Sequence, residues 1–489
     1  MFTTGPLPVD GVEPGSTLLV VGPPMTGKRD LVLELLAEGF DEQGVAVVST
    51  DESAADIRAS LAGYAGRPGE DLPLGVVDCV GDSHGTEGLG PLDSRVSSPA
   101  DLTGIGMELT NTLERLYADH SRQLRLGLLS LTTMSMYAEP EQVVRFLHAV
   151  TGRVDDANAF GLVVAHSDPM AEEHLQRLRS FVDGAIEVRE GESGTELRVR
   201  GIPGGGSEWT PFTRGRAPGS DFEAPDKAYP DDIEVADSLR AIFDDVQAEA
   251  PTLTVCNYDG PDAELDTVEQ YFTRQGIDVR EASLSVDQPH SVAMLHHGDN
   301  LLGSETVTAL CGAIDMERAA DGEFGTRHSS DLLRSLERSV FGARAADKPL
   351  LIDVSHTVEL LAHRTGTGRV HAGFQRLSNL VDDDQAARIY RKLSESGVEV
   401  HVYGTPDTET TLPGVTVHEN ESDEIRGSWF VTFDGAGDTD RQAALLAIEN
   451  GDGTFEGFWT YDSNIVGRID AYLTETYLAG SAVGEQSAD

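Results

Sequence analysis

Residues 17–39 of the 489-residue chain read TLLVVGPPMTGKRDLVLELLAEG. An apolar run is followed by Gly22 and by Gly27–Lys28 at the spacing G-x-x-x-x-G-K, and then by a leucine-rich amphipathic segment. This order predicts a buried strand, a glycine loop and a helix. In such a loop the backbone amides, the helix N-terminus and the lysine ammonium together bind phosphate oxygens. The alternative is an ordinary strand-turn-helix that happens to be rich in glycine.

The residues around this loop alternate short apolar runs with amphipathic segments, a pattern typical of βαβ units. The runs are rich in valine and leucine, as in parallel strands that are buried on both faces. We therefore predict an α/β domain with a parallel sheet over residues 1–201, closed by a hairpin of 184–191 and 196–203. The predicted parallel strands are 17–22, 44–50, 74–80, 124–131 and 160–167.

Two positions depart from the pattern of a loop that transfers phosphate. Arg29 stands where a Ser or Thr would contact Mg²⁺, and Leu129 stands where a later strand would end in Asp. The nearby carboxylates are Asp51 and Glu52, which could position a water or ligate a metal, or could instead cap a helix that starts at Ser53. We predict a loop that binds nucleotide without a metal site, and an active Mg²⁺-dependent ATPase is the alternative.

Residues 15–205 resemble a RecA-superfamily ATPase of the KaiC type, especially the KaiC-like proteins abundant in haloarchaea. The resemblance rests on GPPMTGKR (22–29), STDESAADIR (49–58), LGLLSLTTM (126–134) and VVAHSDP (163–169). It implies ATP as cofactor, catalytic roles for Asp51 and Glu52, and sensor roles for Ser130 and for His166 or Ser167. It places cofactor binding on Gly22, Pro23, Pro24, Met25, Thr26, Gly27, Lys28 and Arg29. The departures favour a pseudo-ATPase regulator, in which Arg29 is a candidate cation in place of Mg²⁺.

The chain is strongly acidic, with 84 Asp and Glu against 36 Lys and Arg and a formal net charge of −48. Only four residues are lysines, at positions 28, 227, 348 and 392. Such surfaces resemble those of haloarchaeal cytosolic proteins, and they disfavour nucleic acid, whose binding depends on cations that neutralise phosphates. An acidic protein from an ordinary cell is the alternative.

The location that we expect is the cytoplasm. Three widely spaced cysteines predict free thiols rather than disulfides or a zinc site. The N-terminal residues do not have the pattern of a signal peptide, and no apolar run has the length of a membrane span.

A second region follows a stretch rich in Gly and Pro. We predict a flexible linker at 202–231, a mixed α and β domain at 232–477 and a disordered tail at 478–489. Asp353, Ser355 and His356 lie close together, but members of a catalytic triad need no proximity in sequence, so helix capping by Asp353 or Ser355 is the preferred interpretation.

This second region resembles DICT, a sensory domain found beside diguanylate cyclases and two-component proteins. Four stretches carry the resemblance: 253–260, 368–380, 425–435 and 455–473. It implies an input module that binds a small molecule or a signalling protein and has no known catalytic residues. Gln375 and Arg376, interpreted as polar residues of an apolar helix, are candidates for a ligand pocket or for a buried structural pair.

The sequence thus predicts a RecA-like P-loop domain followed by a mixed α+β, DICT-like domain. The expected function is regulatory: a ligand bound to one domain shifts the conformation or assembly of the other. A homo-oligomer is a candidate for that assembly. The alternatives are an active ATPase and a scaffold in which neither site binds a ligand.

Overall fold

The fold is taken from a computed structural model of the chain. It describes residues 1–80, 89–96, 98–119, 123–167, 172–191, 194–212, 235–283, 290–298, 300–314, 330–334, 340–346, 348–450 and 454–478. The predicted linker lies outside these residues from 213 onward, and the predicted tail lies outside them from 479 onward.

The N-terminal part alternates strands and helices. The strands are β1 Thr17–Gly22, β2 Gly44–Ser49, β3 Leu74–Asp78, β4 Ser94–Arg95, β5 Leu124–Leu128, β6 Phe160–His166, β7 Gly184–Gly191, β8 Gly194–Arg200 and β9 Thr210–Pro211. The helices are α1 Lys28–Ala37, α2 Ala54–Ala65, α3 Leu102–Asp119, α4 Leu131–Tyr137, α5 Pro140–Asp156 and α6 Glu172–Arg179, with a 3₁₀ turn at Gly69–Asp71.

These strands form one sheet in the order β4-β3-β2-β5-β6-β1-β7-β8-β9. The pairs from β4 to β7 are parallel, and the β7–β8 hairpin and β9 are antiparallel. The predicted α/β class and parallel sheet are confirmed. β9 extends this sheet with two residues of the stretch that we assigned to the linker.

The parallel strands are fully buried because helices cover both faces of the sheet, as expected for this class. Leu19, Val48 and Leu126 belong to the apolar cluster on one face. Leu18 and Val47 belong to the cluster on the other face, under α1 and α2. Since all these strands run in one direction, the loops after β1, β2, β5 and β6 meet at one edge of the sheet, called here the carboxyl edge.

The C-terminal part contains two further sheets. Its strands are β10 Thr252–Cys256, β11 Asp278–Ala282, β12 Val292–His297, β13 Asn300–Thr306, β14 Val340–Ala346, β15 Arg369–Arg376, β16 Glu399–Thr405, β17 Val415–Glu419, β18 Ser428–Phe433, β19 Ala443–Glu449 and β20 Phe455–Thr460. Its helices are α7 Leu239–Ala248, α8 Asp262–Arg274, α9 Val307–Ile314, α10 Asp331–Arg334, α11 Lys348–Thr365, α12 Ser378–Val381, α13 Asp384–Ser396, α14 Asp423–Arg426 and α15 Ser463–Leu473.

A four-stranded sheet has the order β11-β10-β12-β13, and a seven-stranded mixed sheet has the order β14-β20-β19-β18-β15-β16-β17. The mixed architecture predicted for this part is confirmed. Apolar residues of β18 and β19, such as Phe430 and Leu446, pack with α15 on one face. Val431 and Phe433 of β18 lie in a cluster with Val358 of α11.

Two local interpretations of the sequence were wrong. Gln375 and Arg376 end strand β15 and are not in a helix. Asp353 and Ser355 lie inside α11 and are not at its N-terminus. The side chain of Asp462 caps α15 by accepting from the backbone N–H groups of residues 464 and 465.

The C-terminal part packs against the carboxyl edge of the parallel sheet. The indole Nε1 of Trp459 donates to the hydroxyl of Tyr137 at 3.1 Å, and both residues are almost fully buried. Met25, in the glycine loop, is 5% exposed and belongs to the apolar cluster of α11 and α13. The glycine loop is therefore covered by the second region. No helix among the described residues is long and apolar enough to cross a membrane.

One buried cation in the first domain was not foreseen from the sequence. Arg125 on β5 is 0% exposed, and its guanidinium donates to the backbone oxygen of Leu35, to Gln43 Oε1 at 2.6 Å and to Thr3 Oγ1 at 3.0 Å. It also lies 5.7 Å from the ring centroids of Phe2 and Phe160. Burial lowers the pKa of Arg125 to about 10, against the opposing effect of Glu38, so the group stays charged at neutral pH. It ties the N-terminal segment to the sheet.

We expect Arg125→Met to lower the free energy of unfolding of the N-terminal domain by about 3 kcal/mol, because the buried acceptors lose charge-assisted hydrogen bonds. Urea unfolding in molar KCl measures this change. Arg67→Met is the matched control, since among the described residues the ion-pair partner of Arg67 is the 93%-exposed Asp41, and it should shift the transition by less than about 0.5 kcal/mol. Equal midpoints for the two variants would contradict the assignment.

Candidate functional site

The backbone of the glycine loop between β1 and α1 favours glycine at two positions. Gly27 has φ +80° at the N-cap of α1, in the left-handed region that glycine adopts without strain. A Cβ on Gly22 would collide with the backbone oxygen of Val188. Ser167 donates its backbone N–H to the Gly22 oxygen at 3.1 Å. The predicted strand, loop and helix are confirmed, and α1 points its N-terminus into the loop.

The ammonium of Lys28 is directed back into its own loop. Lys28 is 4% exposed, and its Nζ donates to the backbone oxygens of Gly22, at 2.6 Å, and Pro23. The hydroxyl of Thr26 also donates to the Pro23 oxygen at 2.8 Å. In this conformation the backbone oxygens of the loop accept the hydrogen bonds that the Lys28 ammonium would otherwise donate to a phosphate.

Arg29 does not enter the loop. Its guanidinium makes a double contact with the carboxylate of Glu52, and Nη2 lies 3.3 Å from Ser60 Oγ. Asp30 Oδ1 is 3.6 Å from Nη1. The residue at the magnesium-contacting position is therefore paired with one of the two predicted catalytic acids.

A second arginine reaches the same acids from the other domain. Arg364, in the last turn of α11, places Nη2 at 2.7 Å from Asp51 Oδ2 and Nη1 at 2.5 Å from Glu52 Oε1. Burial raises the pKa of Glu52, but Arg29 and Arg364 outweigh this effect and the pKa is lowered overall. Burial lowers the pKa of Arg364, but Glu52 and Asp51 reverse this and raise it. Glu52 and Arg364 are therefore both charged, and both acids are engaged in ion pairs between the domains.

The predicted sensor residues lie on the same edge. Ser130 caps α4 by accepting from the backbone N–H of Thr133 at 3.0 Å. His166 donates its backbone N–H to Thr132 Oγ1 at 2.9 Å, and its Nδ1 is buried without a hydrogen-bond partner among the described residues. Burial, with Lys28 and other cations nearby, holds the pKa of His166 well below its usual value, so the ring is neutral.

Most predicted residues of the loop surround one cavity of about 80 Å³. Its walls from the first domain are Met25, Thr26, Gly27, Lys28, Arg29, Asp30, Asp51, Leu129, Ser130, Thr132, Thr133, Val164 and His166. Its cover is formed by α11, through Thr357, Leu360, His363 and Arg364. Ligand pockets for drug-sized molecules occupy roughly 300–1,000 Å³. The donor set suits an anion such as phosphate, but the covered cavity has no room for a whole nucleotide.

Sequence reasoning did not single out Arg364. The residue lies in the last turn of a helix, and its partners lie more than 300 positions earlier. A lone basic residue near a helix C-terminus has an ordinary explanation in the helix dipole, so no local signal distinguishes it.

Further ion pairs hold the two regions together away from the cavity. Glu190 meets Arg388 at 3.0 Å and Lys392 at 2.8 Å, and Arg441 meets Asp56 at 2.9 Å. Lys392 also donates to the backbone oxygen of Met25 at 3.2 Å. In each ion pair the cation belongs to the C-terminal part and the carboxylate to the N-terminal part, so the pairs bring opposite charges together across the interface.

A second cavity lies on another side of α11, inside the C-terminal part, and Gln375 lines it. Gln375 has φ +58° and donates through Nε2 to Glu449 Oε2 at 2.8 Å and to the Arg426 oxygen at 3.2 Å. Arg376, the other predicted pocket residue, is exposed and is not part of the cavity wall.

Two buried titratable residues of α11 face this second cavity. Glu359 accepts a 2.6 Å hydrogen bond from the Tyr390 hydroxyl, and burial raises its pKa to about 7. Burial lowers the pKa of His356 to about 4, against the opposing effect of Asp383. Both shifts follow from the cost of a charge in a poorly solvated site.

Two family models match parts of the chain. Residues 15–188 match DUF7504, described as a family of unknown function. Residues 330–450 match DICT, described as a sensory domain in diguanylate cyclases and two-component systems. The predicted resemblance of the second region to DICT is confirmed, and the match includes α11. No curated protein matches the chain.

Two of the solved structures that are similar to the chain come from Pyrococcus horikoshii. An uncharacterised protein in complex with an unknown peptide is 16% identical over 39% of this chain and 85% of its own, with a TM-score of 0.30. A KaiC-like protein is 14% identical over 41% of this chain and 86% of its own, also with a TM-score of 0.30.

We expect Arg364→Ala to speed hydrogen exchange of the loop amides at residues 25–32 by about tenfold or more, because Asp51 and Glu52 lose a partly buried partner between the domains. Exchange followed by mass spectrometry measures the change. Arg240→Ala is the control, since Arg240 makes an exposed pair with Asp244 within one helix. Unchanged exchange in Arg364→Ala would show that this contact does not hold the cover in place.

We expect Glu359→Gln to become more stable relative to the wild type as pH rises from 5 to 8. The Glu359 carboxyl is protonated in the folded protein up to a pKa of about 7, against an ordinary value of 4.5. Below pH 4.5 the carboxyl is protonated in both the folded and the unfolded protein. As pH rises through 7, the wild type loses about 3 kcal/mol of its free energy of unfolding in all.

His356 acts in the opposite direction, since its folded pKa is about 4, but it is present in both proteins and cancels in the difference. Urea midpoints at each pH, with the exposed Glu409→Gln as control, measure the effect. A constant difference between Glu359→Gln and wild type would contradict the buried protonated carboxyl.

Proposed function

We propose that the chain is a cytosolic signalling regulator in which the DICT region senses a ligand and controls access of ATP to the glycine loop. The observation that carries this proposal is that α11 forms a wall of both cavities. Thr357, Leu360 and Arg364 line the loop cavity, and His356 and Glu359 line the cavity in the C-terminal part. The acidic surface favours a high-salt cytosol, as in haloarchaea.

The coupling follows from helix geometry. At about 100° per residue, these two sets occupy adjacent faces of one rigid element. A shift of α11 that accommodates a ligand on one face changes the other cavity as well. Because such coupling is reciprocal, nucleotide binding would also change the affinity for the sensed ligand.

The electrostatics of the loop also support control by α11. ATP would be held by the loop amides and Lys28, and its phosphates bring negative charge to Arg29 and Arg364. Arg29 is already paired with Glu52, and Arg364 with Asp51 and Glu52, so phosphate and the carboxylates compete for the same cations. The small covered cavity requires α11 to move before a nucleotide enters.

Two rival functions differ from this one in their site requirements. An active Mg²⁺-ATPase is disfavoured because Arg29 and Leu129 offer no metal ligand and because arginines engage both acids. A scaffold that binds no nucleotide is favoured by one observation, the contact of the Lys28 ammonium with its own loop carbonyls. The regulator is preferred because α11 forms a wall of both cavities, which neither rival function requires.

Opening the interface should strengthen ATP binding. We expect the double variant Arg388→Glu and Arg441→Glu to bind ATP about tenfold more tightly than wild type, because it places like charges opposite Glu190 and Asp56 and raises the population of the open state. Both arginines lie outside the loop cavity. Isothermal titration at molar KCl, with and without Mg²⁺, measures the affinity.

Lys28→Ala in the open double variant is the control and should abolish the binding. Phosphate release that needs Mg²⁺ and disappears in Lys28→Ala would support the enzyme and overturn the regulator. Absence of ATP binding by both the wild type and the double variant would support the scaffold.

A further inference from the structure

We propose that the cavity in the DICT region, enclosed by α11, β15, α13 and β18, binds an organic cation of about one aromatic ring, with its nitrogen directed at Glu359. This assignment gives the sensed ligand of the proposed function a chemical class and rests on that function only for the signal sent to the loop. The binding itself needs no coupling.

The size of the cavity selects a small ligand. Its volume is about 140 Å³, close to the apolar cavity of about 150 Å³ that accepts benzene in an engineered protein. Phe374, Tyr390 and Trp429 supply aromatic walls. Phe374 and Tyr390 pack edge to face with centroids 5.2 Å apart, and the Trp429 indole is fixed by a 3.1 Å hydrogen bond to Ser355 Oγ. Such side chains offer aromatic faces and edges to a ring of similar size.

Polar atoms without partners lie in the same wall. Glu359 is 3% exposed; Oε1 accepts from Tyr390, and Oε2 has no hydrogen-bond partner among the described residues. His356 is 7% exposed, and its Nδ1 likewise lacks a partner there. Buried polar atoms are rarely left unsatisfied, since each costs free energy. A ligand that donates a hydrogen bond to Oε2 would remove this cost.

The charges of the wall select a cation over an anion. Glu359 is the buried charged group of the wall, while Asp383 and Lys348, which also line the cavity, are both exposed to solvent. A cation beside Glu359 favours the ionised carboxylate, and the aromatic faces add cation–π attraction. Burial of an anion next to Glu359 would instead be unfavourable. A single ring that carries an ammonium or amidinium group fits the volume of the cavity. Its N–H groups can donate to Glu359 Oε2, and its charge is opposite to that of the carboxylate.

Benzylamine is the probe, with benzyl alcohol as its neutral isostere and benzoate as its anionic counterpart. We expect the full-length protein at molar KCl to bind benzylamine at least about tenfold more tightly than benzyl alcohol, and to bind benzoate more weakly than either, as measured by ligand-observed NMR titration. Glu359→Gln keeps the shape of the side chain and should remove most of the preference for benzylamine over benzyl alcohol. Glu409→Gln, at an exposed site, should leave the preference unchanged.

Equal affinity for benzylamine and benzyl alcohol, or a preference for benzoate, would overturn the proposal. Retention of the full preference in Glu359→Gln would also overturn it. If Glu359→Gln fails to fold, Tyr390→Phe provides the second test: it frees Oε1 and should keep the preference for the cation, and loss of that preference would contradict the role of the carboxylate.

Titration of ATP in the presence and absence of benzylamine separates this inference from the proposed function. Benzylamine that binds through Glu359 but leaves ATP affinity unchanged supports the site and contradicts the coupling. Absence of benzylamine binding, together with tighter ATP binding by the open double variant, supports control by the cover and overturns the ligand assignment.

Discussion

The ion-pair cluster of Arg364 with Asp51 and Glu52 is the interaction on which the arrangement of the two regions depends. It joins residues 312 and 313 positions apart and lies at the carboxyl edge of the parallel sheet, where loops of such folds bind ligands. Removal of either partner would leave a partly buried charge without its counterion, so the cluster makes separation of the domains costly. The glycine loop is covered as a direct result.

The acidic composition gives this cluster its importance. With a net charge of −48, most surfaces of the protein repel one another, and association of two parts of the chain requires cations at the contact. Arg364, Arg388, Lys392 and Arg441 supply them from the C-terminal part. Salt screens exposed pairs more than buried ones, so the cluster under α11 is the part of the interface that survives best at high ionic strength.

Helix α11 connects the two candidate sites because it is shared by both. Val358 and Ala362 anchor it in the apolar cluster of the C-terminal domain, while Arg364 engages the first domain. A helix with packed and charged contacts on different faces moves as a unit between discrete positions rather than deforming gradually. That property makes a regulator a better explanation of this architecture than two independent modules on a linker.

Elements whose signal is local could be predicted from the residues alone. Valine-rich strands, the glycine spacing around Lys28 and the missing magnesium contacts at Arg29 and Leu129 are readable because backbone periodicity and loop chemistry depend on neighbouring residues. The contacts of Asp51 and Glu52, the position of Gln375 in a strand and the cavity lined by Glu359 and His356 became known from the packing of the folded chain. Those outcomes depend on pairings between residues distant in the chain, and one sequence contains no record of which distant residues meet when the chain packs.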